Sequence, residues 1–267
     1  MVDQPNKTIS EYDRKMQELH DLLKQEEMLS KIQYDQKYFE RFLFSSNFEV
    51  AEAFKRMKLF YDLLFQYPEW MTKEPPVNKR HLIDKEIRVA LPDTDKEGRP
   101  IYLVKIGNVD CNTMSLTDVV AVDDIWLESI ILNSKACKQG LCVIVDIANY
   151  PWRMIKWLTP HNIKLSLRKL ESIPIKEYRF HIVNQATMIH AAIKLTWPLL
   201  PEYIKEMVKF HWNDRESLHN HIDPKVLPLE YGGFNHKLDY QKINTDLYEQ
   251  NEQIHMSFKR YREVALK

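Results

Sequence analysis

The stretch GLCVIVDI, residues 140–147, decides how this chain folds. It is apolar on both faces of an extended segment. Strands of that kind lie inside parallel sheets covered by helices on each side. Outward from it, Tyr178–Val183 and residues 101–106 and 87–91 are shorter runs of the same character. A polar turn, residues 93–100, separates the first two strands in chain order. Between the strands lie helical patterns. Leu116–Leu132 carries Val120, Leu127, Ile130 and Ile131 on an apolar face, and residues 158–170 carry Ile163, Leu167 and Leu170. Strands alternating with helices predict a parallel sheet with crossover connections. Residues 188–197 form a helix that is apolar nearly all round, and residues 217–222 a short one. Residues 203–208 read as a strand or a short helix end. Residues 240–264 read as one long polar helix.

The first quarter differs in kind. Thr8 or Ser10 caps a helix with Met16, Leu19, Leu22 and Leu23 on one face. Two further apolar stripes follow, Tyr38, Phe39, Phe42, Leu43 and then Val50, Ala53, Phe54, Met57, Phe60, Tyr61, Leu64. Residues 73–78 contain two prolines and read as a linker. The expected organisation is an α-helical unit at 1–76, an α/β unit at 77–235 and a C-terminal helix at 236–267.

Lys plus Arg balances Asp plus Glu at 38 each, so the chain has no general pull on nucleic acid or an anionic bilayer. Its three cysteines form no Cys-x-x-Cys pair, which speaks against a disulfide framework and a zinc site. No signal core or membrane-spanning run is evident, and a cytoplasmic location is expected. With five glycines there is no P-loop, no dinucleotide fingerprint and no nucleophile elbow. His211, His219, His221 and Asp223 invite a metal reading. The segment looks helical, however, where residues two apart diverge, so surface histidines are the expectation. Asp146 ends the buried strand and is expected to cap the following loop rather than act in catalysis. The clusters Lys79, Arg80, Lys85, Arg88 and Lys164, Arg168, Lys169, Lys176 read as solvated helix faces, with an anionic headgroup as the functional alternative. By periodicity residues 188–197 pack in the core; the alternative is that one face covers a ligand cavity.

Five segments in order then carry a resemblance. LPLEYGG (227–233), DKEGRPI (95–101), the 140–146 strand, His181 with Asn184, and Phe42-Leu43 with residues 48–51 resemble the CRAL-TRIO lipid-binding family. The likeness is to its branch of alpha-tocopherol transfer protein, cellular retinaldehyde-binding protein and their insect homologues. It spans roughly residues 20–235. It implies a small helical domain before a mostly parallel sheet flanked by helices, with a mobile gate helix. It implies a carrier that holds one hydrophobic molecule in an apolar cavity and moves it between membranes. The ligand would be a tocopherol, retinoid, carotenoid, other isoprenoid or phospholipid. The implied lining is Leu127, Leu141, Val143, Val145, Leu167, Phe180 and Ile182, with Ile189, Ala192, Ile193 and Trp197 from the gate. Lys176, Arg179 and Lys205 would meet a headgroup at a transient membrane contact, a phosphoinositide among the candidates. Tyr178 and Tyr203 stand where the family has basic residues, and Gln185-Ala186 lacks the family's proline after Asn184. No cofactor, metal, nucleic acid or chemical step is expected. Two other readings remain. One is a regulatory interaction module without cargo, against which the stand-alone length argues. The other is a lipid enzyme using Asp146 or a histidine as base.

Overall fold

The computed structural model describes residues 10–30, 35–185, 189–236 and 238–263. Thr8, Ala186, Met188 and Val264 lie outside them. In chain order the helices and strands are α1 (Glu11–Gln25), α2 (Gln36–Ser45), α3 (Val50–Gln66), α4 (Arg80–Ile83), β1 (Arg88–Thr94), β2 (Pro100–Lys105), α5 (Leu116–Leu132), α6 (Lys135–Gln139), β3 (Leu141–Asp146), α7 (Pro160–Ser172), β4 (Tyr178–Val183), α8 (Ile189–Thr196), α9 (Glu202–Glu206), β5 (Val208–Trp212), α10 (Arg215–His219), α11 (Tyr240–Glu249) and α12 (Asn251–Glu263).

The strands form one five-stranded sheet in the order β1-β2-β3-β4-β5. All neighbours are parallel except β1 and β2. The sheet is therefore mixed where the alternation predicted a parallel one. The physical reason is the polar turn, which is too short for a crossover and closes a hairpin. Asp95 fixes that turn. Its carboxylate accepts from the Glu97 and Arg99 backbone N–H groups and from Arg99 Nε at 2.7 Å, with the ion pair buried. Burial opposes the charge on Arg99, but Asp95, Glu177 and Glu97 outweigh it and raise the guanidinium pKa.

Local sequence sets the helix starts. Ser10 and Asp35 cap α1 and α2. Ser115 and Asp118 form a capping box on α5, and Thr159 with Pro160 starts α7. Three expectations shift. The strand-or-helix segment resolves into α9 followed by an additional strand, β5. The final helix breaks at Gln250 into α11 and α12, because its buried residues, Asn244 and Leu247 and then Ile254, Phe258 and Tyr261, face different neighbours. Residues 73–78 are not a free linker: Pro76–Lys79 forms a 3-10 turn leading directly into α4. A further 3-10 stretch, Trp152–Trp157, precedes α7.

The two sheet faces pack differently. One carries Val89, Leu91, Ile101, Leu103, Cys142, Ile144 and Val183 against Leu218, Ile222, Leu227 and Tyr231. The LPLEYGG segment closes this side. A Cβ on Gly233 would lie 1.9 Å from the Leu227 carbonyl oxygen, and Gly232 sits at φ +71°, so both positions require glycine. The other face meets α5 and α7 and merges with the core of the N-terminal helices and α12. Arg56 donates to the Ile173 and Ile175 carbonyls and Lys169 to the Trp70 carbonyl, so the helical layer is docked through buried polar contacts.

The histidines depart from the surface reading. His181 and His211 are buried, their rings stacked with a 2.9 Å Nδ1 to Nε2 contact, and His221 lies beside both. Among the described residues no His, Cys, Asp or Glu cluster is arranged to hold a metal. Burial, then the neighbouring histidines and Lys209, pull His181 down to about 3. Burial, then His221 and Lys209, pull His211 to about 4. Both are neutral in the fold, and the unfolded chain takes up protons first, near the ordinary value of 6.5. Stability is thus full above that pH and falls as the pH drops from 6.5 toward 4 and 3. Urea denaturation across this range should show the fall, and His181→Phe should flatten it by about one proton. Equal slopes in the two proteins would overturn this reading.

Candidate functional site

An apolar cavity of about 260 Å³ lies between the sheet and the helices α5 and α7. Side-chain alternation puts Tyr102 and Val104, Leu141, Val143 and Val145, and Tyr178 and Phe180 on one face. The parallel register aligns Tyr102, Val143 and Phe180 across three strands. These form the floor. Val120, Asp123 and Leu127 from α5 and Ser166, Lys169 and Leu170 from α7 form the walls, with Trp70 and Ile173 between.

Leu127, Leu141, Val143, Val145 and Phe180 thus line the cavity. Leu167 is half-buried on α7 outside the lining, since the helix presents Ser166, Lys169 and Leu170 instead. Ile182, Ile189, Ala192 and Ile193 form a second apolar cluster with Ile147, Tyr150 and Trp212. Trp197 rests on Phe210 at 5.4 Å between ring centroids. Val145 belongs to both groups. Val145 thus links the cavity floor to the cluster around α8, and no residue of α8 lines the cavity itself.

Sequence reasoning missed the polar part of the lining. Asp123 accepts from Arg88 Nε at 2.6 Å and from the Tyr102 hydroxyl at 2.8 Å. Asp124 pairs with Lys169 at 2.5 Å and accepts from the Thr72 backbone N–H. Arg88 and Lys169 are buried, so the reading of their clusters as solvated faces is corrected for these two. The ion pairs compensate their desolvation. Burial raises the Asp124 pKa despite Lys169, and burial with Asp123 raises that of Tyr102. The signal was present: adjacent acids in the middle of an otherwise apolar helix require partners.

The proposed headgroup residues meet at the start of β4 and β5, where Phe180 N–H donates to the Met207 carbonyl. Arg179 already pairs with Glu177 at 3.1 Å and Lys205 with Glu202 at 2.7 Å, while Lys176 is exposed. Asp146 sits at the opposite ends of the strands, where three donors from separate segments hold it. It accepts from the Ala148 N–H at 2.9 Å, Asn184 Nδ2 at 2.6 Å and the Tyr231 hydroxyl at 2.8 Å. It thereby joins the ends of β3 and β4 to the LPLEYGG segment, the arrangement of a structural carboxylate.

The profile of the CRAL/TRIO domain matches residues 84–233. Clavesin-1 of Rattus norvegicus is 28% identical over 253 residues, covering 91% of this chain and 71% of its own length. Clavesin-2 of Homo sapiens is 29% identical over 228 residues, covering 82% of this chain and 68% of its own length. The crystal structure of Sfh5 aligns over 95% of this chain and 99% of its own at 14% identity, with a TM-score of 0.46.

Removing the Asp146 carboxylate leaves the Asn184 amide and the Tyr231 hydroxyl without their acceptor. Asp146→Ala should lower stability by about 3 kcal/mol in urea denaturation. An unchanged midpoint would mean that the network does not hold the strand ends together.

Proposed function

This chain belongs to the CRAL/TRIO lipid-binding family, and on that premise we propose that it carries one hydrophobic molecule in the cavity between the sheet and α5 and α7, without a chemical step. The observation that supports this most directly is the apolar lining of that cavity. The cavity has a volume of about 260 Å³ and a mostly apolar lining. A bound lipid gains about 25 cal/mol per Å² of its own apolar surface removed from water there. Delivery between membranes follows from the position of α8. The helix packs on Val145, which also lines the cavity, and Leu195, Leu199 and Tyr203, on and after it, are exposed apolar side chains suited to a bilayer interface. Lys176, with Arg179 and Lys205 beside it, supplies the cationic edge for an anionic headgroup, a phosphoinositide included. Among the described residues no helix is long and apolar enough to cross a membrane, so any such contact is made from the surface.

Native and denaturing mass spectrometry of the protein purified from its own source, with organic extraction, should find one stoichiometric hydrophobic molecule. A protein that is empty, and stays empty after exposure to lipid vesicles and isoprenoids, overturns the carrier reading in favour of an interaction module. Ile189 is buried on α8 and Lys194 exposed. Ile189→Asp should therefore weaken ligand retention at least ten-fold more than Lys194→Asp in a vesicle-transfer assay; equal effects would remove Ile189 from the ligand side of the gate.

A further inference from the structure

We propose that the cavity selects an uncharged lipid bearing a hydroxyl group, and that the Asp123 carboxylate is the residue that selects it; this rests on the carrier reading above. The lining holds a handful of polar side chains, and most of their donors are spent. Lys169 Nζ is 2.5 Å from Asp124 Oδ1 and donates to the Trp70 carbonyl, also at 2.5 Å. The Tyr178 hydroxyl donates to the Leu170 carbonyl. The Tyr102 hydroxyl donates to Asp123. Ser166, an exposed residue of the α7 wall, offers a neutral hydroxyl.

Asp123 is the anionic group with capacity left. A carboxylate offers about four lone-pair positions. Arg88 Nε and the Tyr102 hydroxyl take Oδ1, and Arg88 Nη2 reaches Oδ2 at 3.3 Å. Arg88 is not part of the lining, because its third nitrogen turns back to the Ile87 carbonyl. Asp123 lines the cavity and its partner Arg88 does not. Its side chain is 28% exposed, against 8% for the Asp124 carboxylate paired with Lys169. An apolar chamber whose anionic acceptor has a position to spare favours a ligand with a donor. A hydroxyl supplies the donor at little desolvation cost and forms a charge-assisted hydrogen bond. A carboxylate or phosphate would bring a second anion against Asp123, and the cavity's ammonium is already engaged.

The test uses the whole chain and three probes of equal length: 1-dodecanol, dodecyl methyl ether and dodecanoic acid. Each competes with an uncharged fluorescent apolar dye at neutral pH. The alcohol should compete at least ten-fold better than the ether and the acid, the range of a hydrogen bond to a charged group. Equal competition by alcohol and ether, or tightest binding of the acid, overturns the selection while leaving the carrier reading intact. No competition by any probe, with protein that also extracts no lipid, overturns both. Asp123→Asn should shrink the gap between alcohol and acid. Because that variant leaves Arg88 buried without its counter-charge, Tyr102→Phe provides the second arm. It removes a competing donor and should keep the alcohol preference; loss of the preference there would assign recognition to the tyrosine and overturn the role of Asp123.

Discussion

Helix α5 is apolar enough to be buried on most sides, yet beyond its first turn it carries three acids, and each is satisfied by a different layer of the protein. Asp123 reaches Arg88 on β1 and Tyr102 on β2. Asp124 reaches Lys169 on α7 and the backbone at Thr72. Glu128 pairs with Arg41 on α2 at 3.0 Å and accepts from the Tyr261 hydroxyl of α12 at 2.8 Å. Buried pairs of this kind contribute little net stability, because desolvation offsets the attraction. Their consequence is geometric. Separating any one pair strands a charge in the interior, so α5 is held at a fixed height over the sheet and a fixed distance from α7. That spacing is the cavity. Without it, the apolar walls would gain by closing on the floor.

The strand core of this arrangement was legible in the sequence for a simple reason. Residues 140–147 are apolar on both faces, and each face has its own covering layer. The alternation that assigns Leu141, Val143 and Val145 to one side is forced by the pleat, and the parallel register carries it to Phe180 and Ile182. The fifth strand was less legible. Val208–Trp212 mixes Lys209, Phe210 and His211 on a segment whose backbone pairs on one side with β4. An edge strand needs no continuous apolar run, so hydropathy alone reads past it. The break at Gln250 was illegible for a related reason. Both halves keep a helical period, and only the difference in what they face separates them.

The site divided along the same line. Its apolar floor follows from alternation within strands. Its polar wall depends on which helix meets which strand, information that periodicity does not contain. Arg88 and Lys169 look like members of basic surface clusters until Asp123 and Asp124 are placed above them. Asp146 shows the converse. Its position at the end of a central strand suggests chemistry, but the Asn184 amide and the Tyr231 hydroxyl, both distant in sequence, occupy it from either side.

These attachments also determine which wall can move. Opening the cavity at α5 or α7 requires parting Asp124 from Lys169, or Asp123 from Arg88, in a buried setting. Helix α8 is attached differently. Among the described residues its one side-chain hydrogen bond runs from the Thr196 hydroxyl to its own Ala192 carbonyl. Its hold on the rest is Ile189, Ala192 and Ile193 against Ile147 and Tyr150, and ring contacts of His190 and Trp197 with Trp212 and Phe210. Apolar contacts are non-directional and leave no stranded charge when they part, and a lipid surface replaces them in kind. The same chemistry that fixes α5 and α7 as walls therefore leaves α8 the least firmly tied of the three helices.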